Sequence, residues 1–266
     1  MRITRRQLKF LIRESLEGSV RAERDAYWAE KYPEENIFQK IRAHKMHGAP
    51  MPNIDIDSLA SVMNKSQCYD VGRQAFTPTV YREFDDWFLR SLTDDTLRSC
   101  QRNAMSADVC SPAQGTIRKR VPTGEMTLKK SVIAVESLLD ILEGSDLIQI
   151  SLRKTDYHHV HSPVDGRVSD IMSVDKDDLF PGSEAMGIIE IETSMGTVKV
   201  MCIGEWSVQT FVPIVNVGDN VSKLDELGYF YFGSQVIIVL PPSVEVTVDR
   251  EQEPRVFPGD PICARF

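Results

Sequence analysis

From Val109 onward the chain breaks into short β-branched runs separated by Gly, Pro and Asp, and this texture constrains the fold more than any other feature. Runs at 147–152, 186–192, 197–203, 208–217, 229–240 and 244–248 read as strands. One helix is expected among them near 135–143, stopping at Gly144. Two boxes repeat a theme, Ser111-Pro112-Ala113-Gln114-Gly115 and Ser162-Pro163-Val164-Asp165-Gly166. A Gly218-Asp219 turn with a returning strand follows them. The pattern predicts a mainly antiparallel β core of barrel-sandwich type over residues 101–266.

The first 100 residues read differently. Thr4 and Gln7 have capping-box spacing, and Leu8, Leu11, Ile12 and Leu16 share a face of a basic helix over 1–18 that stops at Gly18. Two readings of that helix stand: an interfacial helix on anionic lipid, or an ordinary surface helix, favoured because Phe10 is its one large aromatic. A charged helical stretch over 19–40 and a Gly- and Pro-containing linker at 45–57 follow. Thr77, Pro78 and the apolar face Val80, Tyr81, Phe84, Trp87 and Phe88 predict a helix over 77–91. The expected class is therefore α+β, with a helical N-terminal third (1–100) packed on the β core.

A formal net charge of −8 argues against nucleic acid as a partner. The longest apolar runs fall short of the roughly 18–20 residues that a membrane-spanning helix needs. No apolar segment of signal-peptide type follows the basic start. Five scattered cysteines without a C-x-x-C pair point to reduced thiols, a cytoplasmic setting and no structural zinc.

Two stretches carry chemistry. Gly233-Ser234 interrupts the apolar run Leu227–Leu240. A flexible residue and a hydroxyl inside a core strand weaken packing and call for a reason. One reason is a bulge or a close backbone contact. The other is self-processing, since glycine leaves its carbonyl open and the serine oxygen is the nearest nucleophile. The second stretch is Tyr157-His158-His159-Val160-His161, which holds three of the five histidines. In an extended strand His158 points away from both His159 and His161, so a turn or bulge is needed to bring His158 and His161 to one site. Metal binding is a rival reading, but carboxylate or cysteine partners at ligand spacing are missing. Two buried structural histidines are the plainest one.

These segments resemble the phosphatidylserine decarboxylase family. That family carries Gly-x-Phe-x-(Leu/Phe)-Gly-Ser-Thr, here Gly228–Gln235, and Tyr-His-Arg-x-His-x-Pro-Val-Asp-Gly, here Tyr157–Gly166 with His159 replacing arginine. Phe84–Leu92 is similar to its Phe-Phe-x-Arg-x-Leu signature, and the Ser-Pro-Ala-x-Gly box falls in the family order.

The resemblance implies a self-cleaving proenzyme and a pyruvoyl cofactor made from Ser234. Ser234 Oγ attacks the Gly233 carbonyl, the resulting ester eliminates to dehydroalanine, and hydrolysis releases ammonia, leaving chains 1–233 and 234–266. By carry-over His161 is the base for Ser234, and His158 is the acid that protonates the substrate α-carbon after CO2 departs. The family's aspartate beside the histidine base is here Gln114, which accepts a hydrogen bond but offsets no charge. Asp165 and Asp156 are the candidate replacements. The altered segments 183–185 and 203–209 leave substrate choice open. The readings are phosphatidylserine decarboxylation to phosphatidylethanolamine, the same chemistry on a soluble amino acid such as an aromatic one, or an uncleaved relative without activity. A phospholipid or amino-acid substrate, peripheral membrane contact and a homodimer are the partners expected; a metal is not.

Overall fold

The computed structural model describes residues 75–77, 87–118, 125–128, 131–134, 145–153, 156–174, 186–204, 211–230 and 234–264. Backbone contacts divide the chain into Met1–Ile54 and Asp55–Phe266, and every described residue belongs to the second unit. In chain order its elements are β1 (Phe76–Thr77), β2 (Ser91–Leu92), α1 (Asp94–Ala104), β3 (Ala107–Cys110), β4 (Gly115–Ile117), β5 (Glu125–Leu128), β6 (Ser131–Ala134), β7 (Asp146–Leu152), β8 (His159–His161) and β9 (Gly166–Val174). There follow β10 (Met186–Thr193), β11 (Gly196–Gly204), β12 (Phe211–Pro213), β13 (Asn220–Val221), β14 (Glu226–Phe230), β15 (Ser234–Leu240), β16 (Arg255–Val256) and β17 (Pro261–Ala264).

The expected α+β class with a helical N-terminal third is overturned. The described residues are mainly β, with α1 the one complete α-helix among them. The helices expected over 1–18, 19–40 and 135–143 lie outside the described residues. Within 77–91 the backbone is helical at Trp87 and Phe88, but both ends of the segment are strand. Thr77 faces Ser91 in the β1–β2 pair, so ladder bonds replace the helix at its two ends. Helix α1 went unread, although its cap is legible. Thr93 accepts from the Thr96 N–H, and Asp94 and Asp95 occupy the first turn, where the helix dipole favours negative charge. Its apolar face is thin, burying only Cys100 and Ala104.

The antiparallel core is as expected. An eight-stranded sheet runs β13-β9-β10-β11-β15-β7-β4-β16, and a three-stranded sheet runs β12-β14-β8, with every pair antiparallel. β15 sits between β11 and β7, and Val236 through Leu240 are all buried, which is what a continuous apolar run in a central strand requires. Ile148, Ile150 and Leu152 of β7 pack with Val236, Ile238 and Leu240 of β15, and with Val160, Leu227 and Phe230 of the smaller sheet. One core thus joins the two sheets.

The run 229–240, expected as one strand, is two. β14 ends at Phe230 in the three-stranded sheet, and β15 starts at Ser234 in the eight-stranded sheet. Residues 231–233 lie outside the described residues, and the chain changes sheets across them. Among the described residues of the run 208–217, Phe211–Pro213 is strand and 214–217 is not; 244–248 is not strand. Gly228 keeps β14 against β12, because a Cβ there would run into the Val212 carbonyl oxygen and the Phe211 ring.

The C-terminal segment is also tied in by charge. Arg255 Nη2 and Nη1 reach the two Asp156 carboxylate oxygens at 2.5 and 3.0 Å, and Asp156 is fully buried. Arg250 makes a similar two-pronged contact with Asp146, at 2.7 and 2.9 Å. An Arg255→Met change leaves Asp156 charged, buried and stripped of its cation. It should cost roughly 3–5 kcal/mol in urea unfolding. A loss below about 1 kcal/mol would mean that the pair behaves like an exposed one.

Candidate active site

The three histidines around β8 are all buried, yet each has a different setting. Tyr157, His159 and His161 alternate along one side of the strand. The Tyr157 ring stacks on His159 at 5.0 Å between centroids and on His161 at 5.7 Å. His158 packs elsewhere, stacked on Phe88 at 3.9 Å with 24° between the planes. The turn that would bring His158 and His161 to a common point is not what holds them.

His158 is fully buried, and among the described residues neither ring nitrogen has a hydrogen-bond partner. Burial lowers its basicity well below the ordinary range, and the nearby Arg90 charge lowers it further. The ring is therefore neutral, with one N–H and one lone pair unengaged. A buried polar group left in this way is costly and points to a partner that arrives later. Its main chain is not loose, because the Phe230 N–H donates to the His158 carbonyl at 2.9 Å.

His161 is satisfied at both nitrogens. Its Nδ1–H donates to the Leu224 carbonyl at 2.8 Å, which fixes the tautomer and leaves Nε2 as the acceptor of the Tyr157 hydroxyl at 3.0 Å. Burial is the main cause that holds this imidazole down at about 4, against an ordinary value of 6.5. Burial also pushes the Tyr157 phenol well up, so it remains a donor. Leu224 pays a backbone cost for its position: its φ of 71° is left-handed, unusual for a side chain of this size. That carbonyl orients the imidazole where a carboxylate was expected.

The carboxylate candidates are engaged elsewhere. Gln114 Oε1 accepts from the Tyr157 N–H at 2.8 Å, so it holds the main chain beside the histidines and not an imidazole. Asp156 is bound to Arg255, and Asp165 accepts from the Lys223 N–H at 2.8 Å. The carboxylate actually present is Glu226, paired with His161 across β14 and β8 and bonded to His159 Nδ1 at 2.6 Å. Burial alone would raise its pKa, but the hydrogen bond and charge of His159 outweigh this and hold the carboxyl below its usual range. Sequence reading missed Glu226 and Leu224, because a backbone carbonyl and a cross-strand register leave no local signature. In the sequence Phe88 reads as part of an apolar helix face and of the Phe84–Leu92 segment, not as the partner of His158.

The Ser234 backbone opens β15, facing Leu152 on one side and Gly204 on the other. Its side chain and Gly233 lie outside the described residues. Three residues lie between Phe230 and Ser234, so the two α-carbons, four steps apart, are at most about 14 Å from each other. Among the described residues no cluster of His, Cys, Asp and Glu is arranged to hold a metal ion, and no helix is long and apolar enough to cross a membrane.

A buried imidazole with no hydrogen-bond partner among the described residues, stacked on Phe88, thus lies on the segment whose carbonyl accepts from the Phe230 N–H. The family model for phosphatidylserine decarboxylase matches residues 84–264, which contain all of these groups. The chain belongs to the phosphatidylserine decarboxylase family and is a carboxy-lyase of that type. Among its relatives, the phosphatidylserine decarboxylase proenzyme of Francisella tularensis subsp. novicida is 29% identical over 200 residues, covering 60% of this chain and 69% of that protein. Phosphatidylserine decarboxylase proenzyme 2 of Komagataella phaffii is 29% identical over 128 residues, covering 43% of this chain and only 13% of the longer fungal protein.

His161 binds its proton less readily folded than unfolded. Its contribution to stability is therefore present above about pH 6.5 and is lost as pH falls through about 4, amounting to roughly 3 kcal/mol. His158 acts in the same direction. Urea unfolding between pH 7 and 4 should show this loss, and His161→Gln should make it shallower. An unchanged slope in that variant would contradict the neutral buried state.

Proposed function

We propose that this chain cuts itself between Gly233 and Ser234, carries a pyruvoyl group at the new terminus, and decarboxylates phosphatidylserine to phosphatidylethanolamine. Family membership supports the reaction class. The observation that carries the site assignment is the fully buried, unpartnered His158 ring, whose carbonyl is hydrogen-bonded to Phe230 just ahead of the junction.

The residues present fit such a group, since a neutral imidazole with both nitrogens unengaged is ready for a reactant. When in place, the group supplies a ketone that takes up an amine and accepts the electron pair left by departing CO2. The chain's own residues do the rest. A phosphatidylserine headgroup brings an ammonium, which must lose a proton before it can react. Neutral His158 accepts that proton at its free ring nitrogen. The resulting imidazolium is a strong acid in a buried site, and it returns the proton to the substrate α-carbon once CO2 has left. Phe88 fixes the plane of the ring, and the surrounding apolar side chains keep water from supplying the proton in its place.

For the cut itself, His161 Nε2 is the available base, with the Tyr157 hydroxyl standing on it in the resting fold. Taking a proton from Ser234 therefore requires that hydroxyl to move aside or to pass the proton on. Ser234 Oγ then attacks the Gly233 carbonyl carbon, the peptide N–C bond breaks, and an ester links the two segments. Removal of the Ser234 α-proton expels the Gly233 carboxylate.

Ser234→Ala should remain a single chain on a denaturing gel, where the unmodified protein separates into two. Phosphatidylserine vesicles and free amino acids, offered in turn, should release CO2 only from the vesicles. Release from an aromatic amino acid instead would replace the lipid assignment, and a persistently single chain would refute both. His158→Ala should still be cut, with turnover reduced by roughly 10²–10⁴-fold. Undiminished turnover would remove His158 from its role.

A further inference from the structure

His159 stands apart from its two neutral neighbours. Its ring is buried, and both of its nitrogens face acceptors: Nδ1 lies 2.6 Å from Glu226 Oε1, and Nε2 lies 3.0 Å from the Leu89 carbonyl oxygen. A carbonyl offers no proton, and Glu226 is held in its ionised range by this contact. Satisfying both contacts takes two N–H donors, which only the imidazolium has.

The ring is also placed as a cation would be. The Tyr157 ring lies parallel to it at 5.0 Å with 8° between the planes, and Tyr229 lies tilted at 5.7 Å. Both aromatic faces favour positive charge. The charged and titratable groups around it are Glu226 and Tyr229 from β14, Tyr157 and the neutral His158 and His161 from its own segment, and Arg90 from the turn after Leu89. Glu226 is the one carboxylate in contact.

Its two anchors belong to different walls of the site. Leu89 follows Phe88, which stacks on His158. Glu226 begins β14, which ends at Phe230 on the His158 carbonyl and leads to the Gly233-Ser234 junction. We infer that His159 donates from both ring nitrogens and so clamps the Phe88–Leu89 turn and β14 against β8, positioning His158. His159 touches neither reactant nor junction in this role, so it is a positioning residue.

Loss of the proton has a defined consequence. One ring nitrogen then presents a lone pair to the Leu89 carbonyl or to the Glu226 carboxylate, and that contact turns repulsive.

Histidine-labelled ¹⁵N protein, as purified, provides a readout independent of activity and of the proposed maturation. At pH 7 one histidine should show both ring nitrogens protonated, while His161 shows a single Nδ1–H tautomer. The doubly protonated signal should vanish in His159→Arg. A neutral single tautomer at His159 would overturn the inference. The functional readouts are the rate of self-cutting and CO2 release at pH 7. His159→Arg should keep both rates within about threefold. His159→Gln, which cannot donate to both partners as a cation, should be slower by about tenfold or more. A His159→Gln protein with the rates of the unmodified chain would overturn the positioning role even if the ring proves charged.

Discussion

The hydrogen bond from the Phe230 N–H to the His158 carbonyl is the contact on which the arrangement of the site depends. It closes the end of β14 onto the segment that enters β8, within the three-stranded sheet. Beyond Phe230 the chain leaves that sheet, and at Ser234 it joins the eight-stranded one. The Gly233-Ser234 linkage therefore stands at a change of sheet. Ladder bonds fix the chain on both sides of the interval. A junction inside an unbroken central strand would have its carbonyl locked in a ladder, and attack by the neighbouring hydroxyl would have to break that bond first. Phe230 at one end is held on the His158 carbonyl, and Ser234 at the other is paired with Leu152 and Gly204.

Burial then sets the chemistry. The same loss of water acts differently on three imidazoles that are close in sequence. Among the described residues His158 has neither hydrogen-bond partner nor counter-charge, and burial holds it neutral. His161 has a carbonyl on one side and a phenol on the other, and is neutral in one tautomer. His159 has acceptors on both sides and a carboxylate in contact. The environment, more than the residue type, distinguishes the three rings, and the roles proposed for them follow from that difference. The strained backbone at Leu224 belongs to the same scheme, since it aims the carbonyl that sets the His161 tautomer.

Much of the β architecture was legible because strand signals are local. Asp146–Leu152, Met186–Thr193 and Gly196–Gly204 coincide closely with β-branched runs bounded by turn residues. The division of 229–240 was not legible, because an apolar run does not say which sheet each half joins. The helix expected over 77–91 failed at its ends, where pairing of Thr77 with Ser91 outweighed a favourable cap and apolar face. In the site, residue types were readable and partners were not. Gln114 was expected beside the imidazole base because it fills an aspartate position, yet its oxygen supports the Tyr157 main chain. Glu226 carries no motif of its own and reaches His159 only through the register of β14 on β8.

The central claim is that the sheet-crossing linkage converts itself into a ketone-bearing terminus. The mass of the C-terminal fragment tests it most directly. The account predicts a fragment of residues 234–266 lighter by one ammonia than the serine-ended peptide, with no free terminal amine. An intact chain of 30.1 kDa, or a fragment that keeps its serine amine, would contradict it.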